Sequence, residues 1–155
     1  MPPPTLRLVS PTSGRSNPRR LHPSVQGKRQ PTLLLVSGDG DSRIGFTRIA
    51  RRWHNIKLLL AERGRDGLAT AFLERPHLVV LDAQLPDVDG LRAVGALRRN
   101  PTTSETPVVV LGVDDSGREL ERFYEAGADA YFTRPLNVSQ VDRIVLGLLE
   151  VAALR

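Results

Sequence analysis

The residues able to do chemistry gather in four short stretches, 37–41, 82–84, 111–114 and 132–135, each just past a run of apolar residues. Ser37-Gly-Asp-Gly-Asp-Ser42 has the glycines of a phosphate-cradling loop. Its two carboxylates would repel a phosphate, however, and turn or helix-cap roles suit Asp39 and Asp41 better. Asp82 ends an apolar run, and Arg134 offers it a planar, bidentate partner. Asp114 and Asp115 precede a helical segment and read as its caps. There are no cysteines, which excludes disulfides, thiol catalysis and Cys-ligated metals. His22, His54 and His77 are scattered and form no HxxxH or HExxH pair, which argues against a His-based metalloenzyme.

The elements that must position these residues alternate in type. Apolar runs at 32–37, 56–60, 77–82, 107–111 and 130–132 are short and continuous, as strands buried on both faces require. Helical spacing follows each, over about 42–53, 66–74, 91–99, 116–126 and 138–153. Asp41 or Ser42 is the expected cap of the first helix, Pro76 ends the second, and Trp53, Phe46 and Phe72 are expected to pack inside. Five strand–helix repeats with right-handed crossovers predict an α/β, flavodoxin-like (βα)5 doubly wound sheet. Its five parallel strands are expected in the order 2-1-3-4-5, with the working crevice beyond their carboxyl ends. The four chemical stretches fall at those ends.

Composition agrees with one domain. Of 155 residues, 40% are apolar and 25% charged, and no apolar run approaches the length of a membrane span. The chain also lacks the apolar stretch of a secretory signal, so a cytoplasmic protein is expected. The net charge of +5 is unevenly placed. Residues 1–31 carry six basic side chains, no acid and 7 of the 12 prolines, whereas the remainder holds 16 basic and 17 acidic groups. Residues 1–31 are therefore expected to be a flexible Pro/Arg-rich extension, and 32–155 the folded domain. Thr5-Leu-Arg-Leu-Val-Ser10 alternates weakly, but is assigned to the extension. A basic tail on a neutral body argues against nucleic-acid binding by the fold itself.

Leu78-Val-Val-Leu-Asp-Ala-Gln-Leu-Pro-Asp-Val-Asp-Gly90 and Ala126-Gly-Ala-Asp-Ala-Tyr-Phe-Thr-Arg-Pro135 carry a more specific signal. Together with Pro107-Val-Val-Val-Leu111, they resemble the receiver domain of two-component response regulators, over about 32–153. The resemblance implies that Asp82 is at the phosphoacceptor position and Tyr131 at the aromatic switch position. The acid pair that holds Mg²⁺ in the family is replaced by Ser37 and Gly38. The hydroxyl residue that reads the phosphoryl group is replaced by Gly112, and the lysine by Arg134. Only Asp82 of these five positions keeps the family's residue. Asp82, with the Gln84 carbonyl, is a poor ligand set for an octahedral cation, and no cofactor is expected. Arg134 is expected to pair with Asp82.

Four readings compete. The first is an atypical stand-alone receiver, not an enzyme, that acts by protein–protein contact independently of phosphorylation. The second is a phosphorylatable regulator or relay protein in which Asp39, with Asp82, rescues Mg²⁺. The third is a small-ligand module using the strand-end crevice, and the fourth a nucleic-acid binder working through the tail. For the first, the family resemblance points to the face of the fourth helix, fifth strand and fifth helix. Arg118, Glu121 and Arg122 would supply charges there, and Tyr124 and Tyr131 aromatic anchors, to a protein partner or a second copy.

Overall fold

The computed structural model describes residues 5–8, 30–113 and 116–153. Five strands alternate with five helices as expected: β2 (Thr32–Val36), α1 (Gly40–Ala50), β3 (Lys57–Ala61), α2 (Gly64–Glu74), β4 (Leu78–Asp82), α3 (Gly90–Arg99), β5 (Val108–Gly112), α4 (Arg118–Ala126), β6 (Ala130–Thr133) and α5 (Val138–Ala153). One further strand precedes them, β1 (Thr5–Leu8). All strands are parallel, in the order β1-β3-β2-β4-β5-β6. The five expected strands, β2 to β6, thus run 2-1-3-4-5. The alternation in Thr5–Leu8, assigned above to the extension, adds an edge strand in register with Lys57–Leu60. The rest of the expected extension, residues 1–4 and 9–29, lies outside the described residues, as do Asp114 and Asp115.

Each face of the sheet carries its own core. Leu34, Val36, Leu59, Val79, Leu81 and Val110 meet Val94, Leu97 and Phe123 of α3 and α4 on one side. Leu33, Leu35, Leu58, Val80 and Leu111 meet Phe46, Ile49, Val141 and Val145 of α1 and α5 on the other. Strands buried on both faces have no polar positions to spare, which explains the continuous apolar runs. Trp53 is buried in the second core, edge-on to Phe46 at 5.8 Å, and its Nε1 donates to Asp142 of α5 at 2.8 Å. His77 accepts from the Thr32 backbone N–H through Nδ1, at 3.0 Å, tying the starts of β2 and β4.

The connection after β2 runs outward to β3 on one side, and the connection after β4 runs outward to β5 on the other. The carboxyl ends of β2 and β4 therefore flank a crevice. At the opposite edge of the sheet, before β5 and β6, Arg98 of α3 donates to the carbonyls of Thr106 (2.6 Å) and Gly127 (2.9 Å) and pairs with Asp129.

Candidate functional site

Ser37 leaves β2 and Asp82 ends β4, so adjacent parallel strands bring them together. Both are buried, Asp82 being 3% exposed. Ser37 Oγ lies 2.6 Å from Asp82 Oδ2 and 3.1 Å from the Asp39 carbonyl oxygen. A hydroxyl has one proton and can donate to only one of these acceptors at a time. The contact with Asp82 is the shorter, and there the Ser37 hydroxyl donates to the carboxylate. Burial pushes the Asp82 carboxyl above its ordinary value, with the Asp39 charge adding to the rise. The Ser37 hydrogen bond and the Arg134 charge oppose that rise without cancelling it. Asp82 Oδ1 is buried and has no hydrogen-bond partner.

Arg134 does not pair with Asp82, contrary to expectation. Its Nη1 donates to Asp39 Oδ2 and, at 2.5 Å, to Ser42 Oγ. Ser42 also donates to Asp39 at 3.0 Å, and these contacts hold the Asp39 carboxyl below its usual range, the Ser42 bond first and Arg134 second. The choice of acid has a physical basis. The Asp39 side chain is 44% exposed, so pairing there needs little desolvation, whereas a guanidinium brought onto buried Asp82 would surrender its water. Asp39 is also the N-cap of α1, accepting from the Asp41 N–H; the cap role falls to it and not to Asp41 or Ser42.

Two positions that lack a side chain have neighbouring rings in the space a side chain would take. An ideal Cβ on Gly38 would lie 2.7 Å from Pro86 Cδ and 3.1 Å from the Glu62 carbonyl oxygen. At Gly112 it would lie 1.9 Å from the Tyr131 hydroxyl oxygen and 2.3 Å from Cζ. Neither glycine has a positive φ, so space and not backbone freedom requires them. The loop carrying Pro86 is pinned from both sides. Gln84 bridges to Asp89, and Asp87 accepts from the backbone N–H groups of Gly64 (2.7 Å) and Arg65 (3.0 Å), capping α2 from outside that helix. Those N–H bonds outweigh the burial that opposes them and lower the Asp87 pKa.

The sheet order, the Asp82 strand end and this loop coincide with one family. The profile of the response regulator receiver domain matches residues 33–146. The chain belongs to that family. This receiver is 30% identical over 121 residues to the transcriptional regulatory protein AfsQ1 of Streptomyces coelicolor, covering 77% of this chain and 52% of AfsQ1. It thus spans about half of that relative. It is 32% identical over 105 residues to protein PilH of Pseudomonas aeruginosa, covering 68% of this chain and 86% of PilH. Among solved structures, a putative response regulator from Chloroflexus aurantiacus superposes with a TM-score of 0.74 at 23% identity, covering 79% of this chain and 99% of that one.

The receiver brings Ser37, Gly38, Asp39, Asp82 and Arg134 around one crevice, with Gly112 and Gln84 at the neighbouring strand ends. The sequence reading did not place Pro86, Ser42 or Glu119 in the site; Ser42 was expected there only as a helix cap. Pro86 stood inside the motif, but nothing in the sequence shows which residue its ring meets. On the expected contact face, Arg118, Glu121, Arg122 and Tyr124 are exposed. Tyr131 is not: it is 8% exposed, its hydroxyl donates to Glu119 Oε2 at 3.0 Å, and its ring rests on Phe123. It offers no anchor at the surface, because the gap above Gly112 draws the ring inward.

Proposed function

We propose that this receiver is a phosphorylation-independent signalling module of the cytoplasm, not an enzyme, that works by protein–protein contact. The observation that carries the reading is the filled space at Gly38 and Gly112: neighbouring rings, of Pro86 and Tyr131, occupy the volume where side chains serving phosphoryl chemistry would stand.

The remaining residues support it. Moving a phosphoryl group onto a carboxylate needs an ionised nucleophile and a cation to offset the gathering negative charge. Asp82 is buried, burial pushes its carboxyl above the ordinary value, and it already accepts from Ser37. The residues present do not fit Mg²⁺. The Ser37 hydroxyl is already used, Gly38 has no ligand atom in its side chain, and the Asp39 carboxylate is held by Arg134 and Ser42. Among the described residues, no three His, Cys, Asp or Glu side chains cluster as a metal set. No helix among them is long and apolar enough to cross a membrane. The phosphorylatable alternative keeps one observation in its favour, Asp82 itself at the acceptor position.

The contact face is formed by α4, β6 and α5, where Arg118, Glu121, Arg122 and Tyr124 give charges of both signs around an exposed aromatic ring. It takes a protein partner or a second copy. Titrating the full chain with Mg²⁺ and beryllofluoride, followed by NMR, tests the reading. The expected spectrum is unchanged at Asp82 and along α4; saturable shifts at both would overturn it. Reversing charge at Arg118 and Arg122 should weaken association in sedimentation with the circular dichroism spectrum intact.

A further inference from the structure

The segment that forms β1 repeats the segment that forms β2. Thr5-Leu-Arg-Leu-Val-Ser10 and Thr32-Leu-Leu-Leu-Val-Ser37 share five of six residues and differ only in Arg7 for Leu34. The two copies lie on opposite sides of β3, both parallel to it and in one register. Thr5 and Thr32 stand opposite Lys57, Leu6 and Leu33 opposite Leu58, Arg7 and Leu34 opposite Leu59, and Leu8 and Leu35 opposite Leu60. β3 thus bonds one peptide pattern twice, once along each edge. The single difference sorts the copies. Leu34 is fully buried in the core it shares with Val94 and Leu97, where a guanidinium would have to give up its water. The copy with arginine is therefore excluded from the inner position and suits the outer one.

The outer edge of β3 needs an occupant. The strand reads Lys57-Leu-Leu-Leu-Ala61, with a charge at its first residue alone and no proline. An apolar edge of that kind pairs with any extended chain that reaches it. β1 covers it with four residues that pair on one side only. A parallel edge strand this short opens more easily than the strands inside the sheet. We propose that the outer edge of β3 is a strand-docking site for an extended Thr-Leu-x-Leu segment of a partner protein, and that residues 5–8 fill it in cis as a tethered copy of that ligand. The partner strand adds parallel to β3. Main-chain hydrogen bonds supply the affinity, and the two leucines, in the register of Leu58 and Leu60, supply the selectivity. The tether holds the competing copy at an effective concentration of order millimolar, so a partner enters when β1 is released or when its own strand binds more tightly. This edge is at the other side of the sheet from β6, apart from the α4–β6–α5 face, and its test uses no phosphoryl donor. Its failure and that of the phosphorylation-independent reading are separate results.

The probe is the synthetic peptide Pro-Thr-Leu-Arg-Leu-Val-Ser, the sequence of residues 4–10. Leu6→Pro with Arg7→Pro in the isotope-labelled full chain vacates the edge. Titrating the peptide into that variant should give saturable NMR shifts at Lys57–Ala61 and restore slow hydrogen exchange there. The unsubstituted chain should bind it at least about tenfold more weakly, because its own copy competes. The same peptide with proline for its first leucine and its arginine should shift nothing. Equal binding by the two chains, or shifts that miss β3, would overturn the proposal. A vacated chain that sediments as a dimer and ignores the peptide would assign the edge to a second copy, which also overturns it. If the double proline variant folds poorly, the unsubstituted chain serves. An excess of the peptide carrying a nitroxide should broaden the β3 amides and leave those of β6 sharp; β3 amides that stay sharp would refute the docking site.

Discussion

Gly38→Ala is the smallest change that probes the filled site. The added methyl would stand 2.7 Å from Pro86 Cδ and 3.1 Å from the Glu62 carbonyl oxygen, against a closed ring and a backbone atom, neither of which swings aside. Overpacking of this kind costs about 1–3 kcal/mol. Replacing glycine where its φ is ordinary recovers ~0.4–1 kcal/mol by restricting the unfolded chain. The difference is a loss of roughly 1–2 kcal/mol, which lowers the melting temperature of a domain this size by about 3–6 °C. Gly45→Ala is the matched control. Gly45 lies inside α1 with nothing within 4 Å of its ideal Cβ, so the same methyl there should stabilise by ~0.5–1 kcal/mol through helix propensity. Urea unfolding of the two variants beside the parent reads both signs. If Gly38→Ala is as stable as the parent, the Pro86 ring yields, and the argument that position 38 has no room for a ligand side chain is wrong.

Asp82→Asn should raise stability by about 1 kcal/mol or more near neutral pH, because it removes a buried carboxylate with an unpartnered oxygen. The folded-state pKa of Asp82 lies above the ordinary 3.8, so the unfolded chain loses its proton first, and the native state loses stability as pH climbs from 3.8 through the raised value. The advantage of Asn should therefore vanish below about pH 4, where both states are protonated; a gap of equal size at both pH values would contradict the assignment. At the sheet edge, Leu6→Pro combined with Arg7→Pro removes the ladder donor of β1 whichever of the two residues supplies it. Hydrogen exchange over Lys57–Ala61 should then quicken while β4 and β5 stay protected, and unchanged exchange in β3 would mean that β1 contributes no protection there.

The doubly wound sheet was legible because its strands are buried on both faces and announce themselves as unbroken apolar runs. β1 was not: four residues of weak alternation inside a proline-rich segment carry too little pattern to outweigh their surroundings, and an edge strand needs only backbone pairing. The departures at Ser37, Gly38, Gly112 and Arg134 could be read along the chain, since each replaces a residue of known type. Their consequences could not. Arg134 has two acids within reach, and choosing Asp39 over Asp82 depends on burial, which spacing does not encode. The Gly38–Pro86 and Gly112–Tyr131 contacts join residues 48 and 19 positions apart, so the glycines looked like simple losses when each is half of a packed pair.

The most direct measurement is whether Asp82 takes a phosphoryl group. The full chain would be incubated with acetyl phosphate and millimolar Mg²⁺, acid-quenched and mapped by peptide mass spectrometry, with a receiver that acetyl phosphate labels treated alongside. The account predicts an unmodified peptide spanning Asp82 under conditions that label the control. A phosphoryl adduct on Asp82, lost in Asp82→Asn and dependent on Mg²⁺, would contradict it and make this chain a working phosphoacceptor.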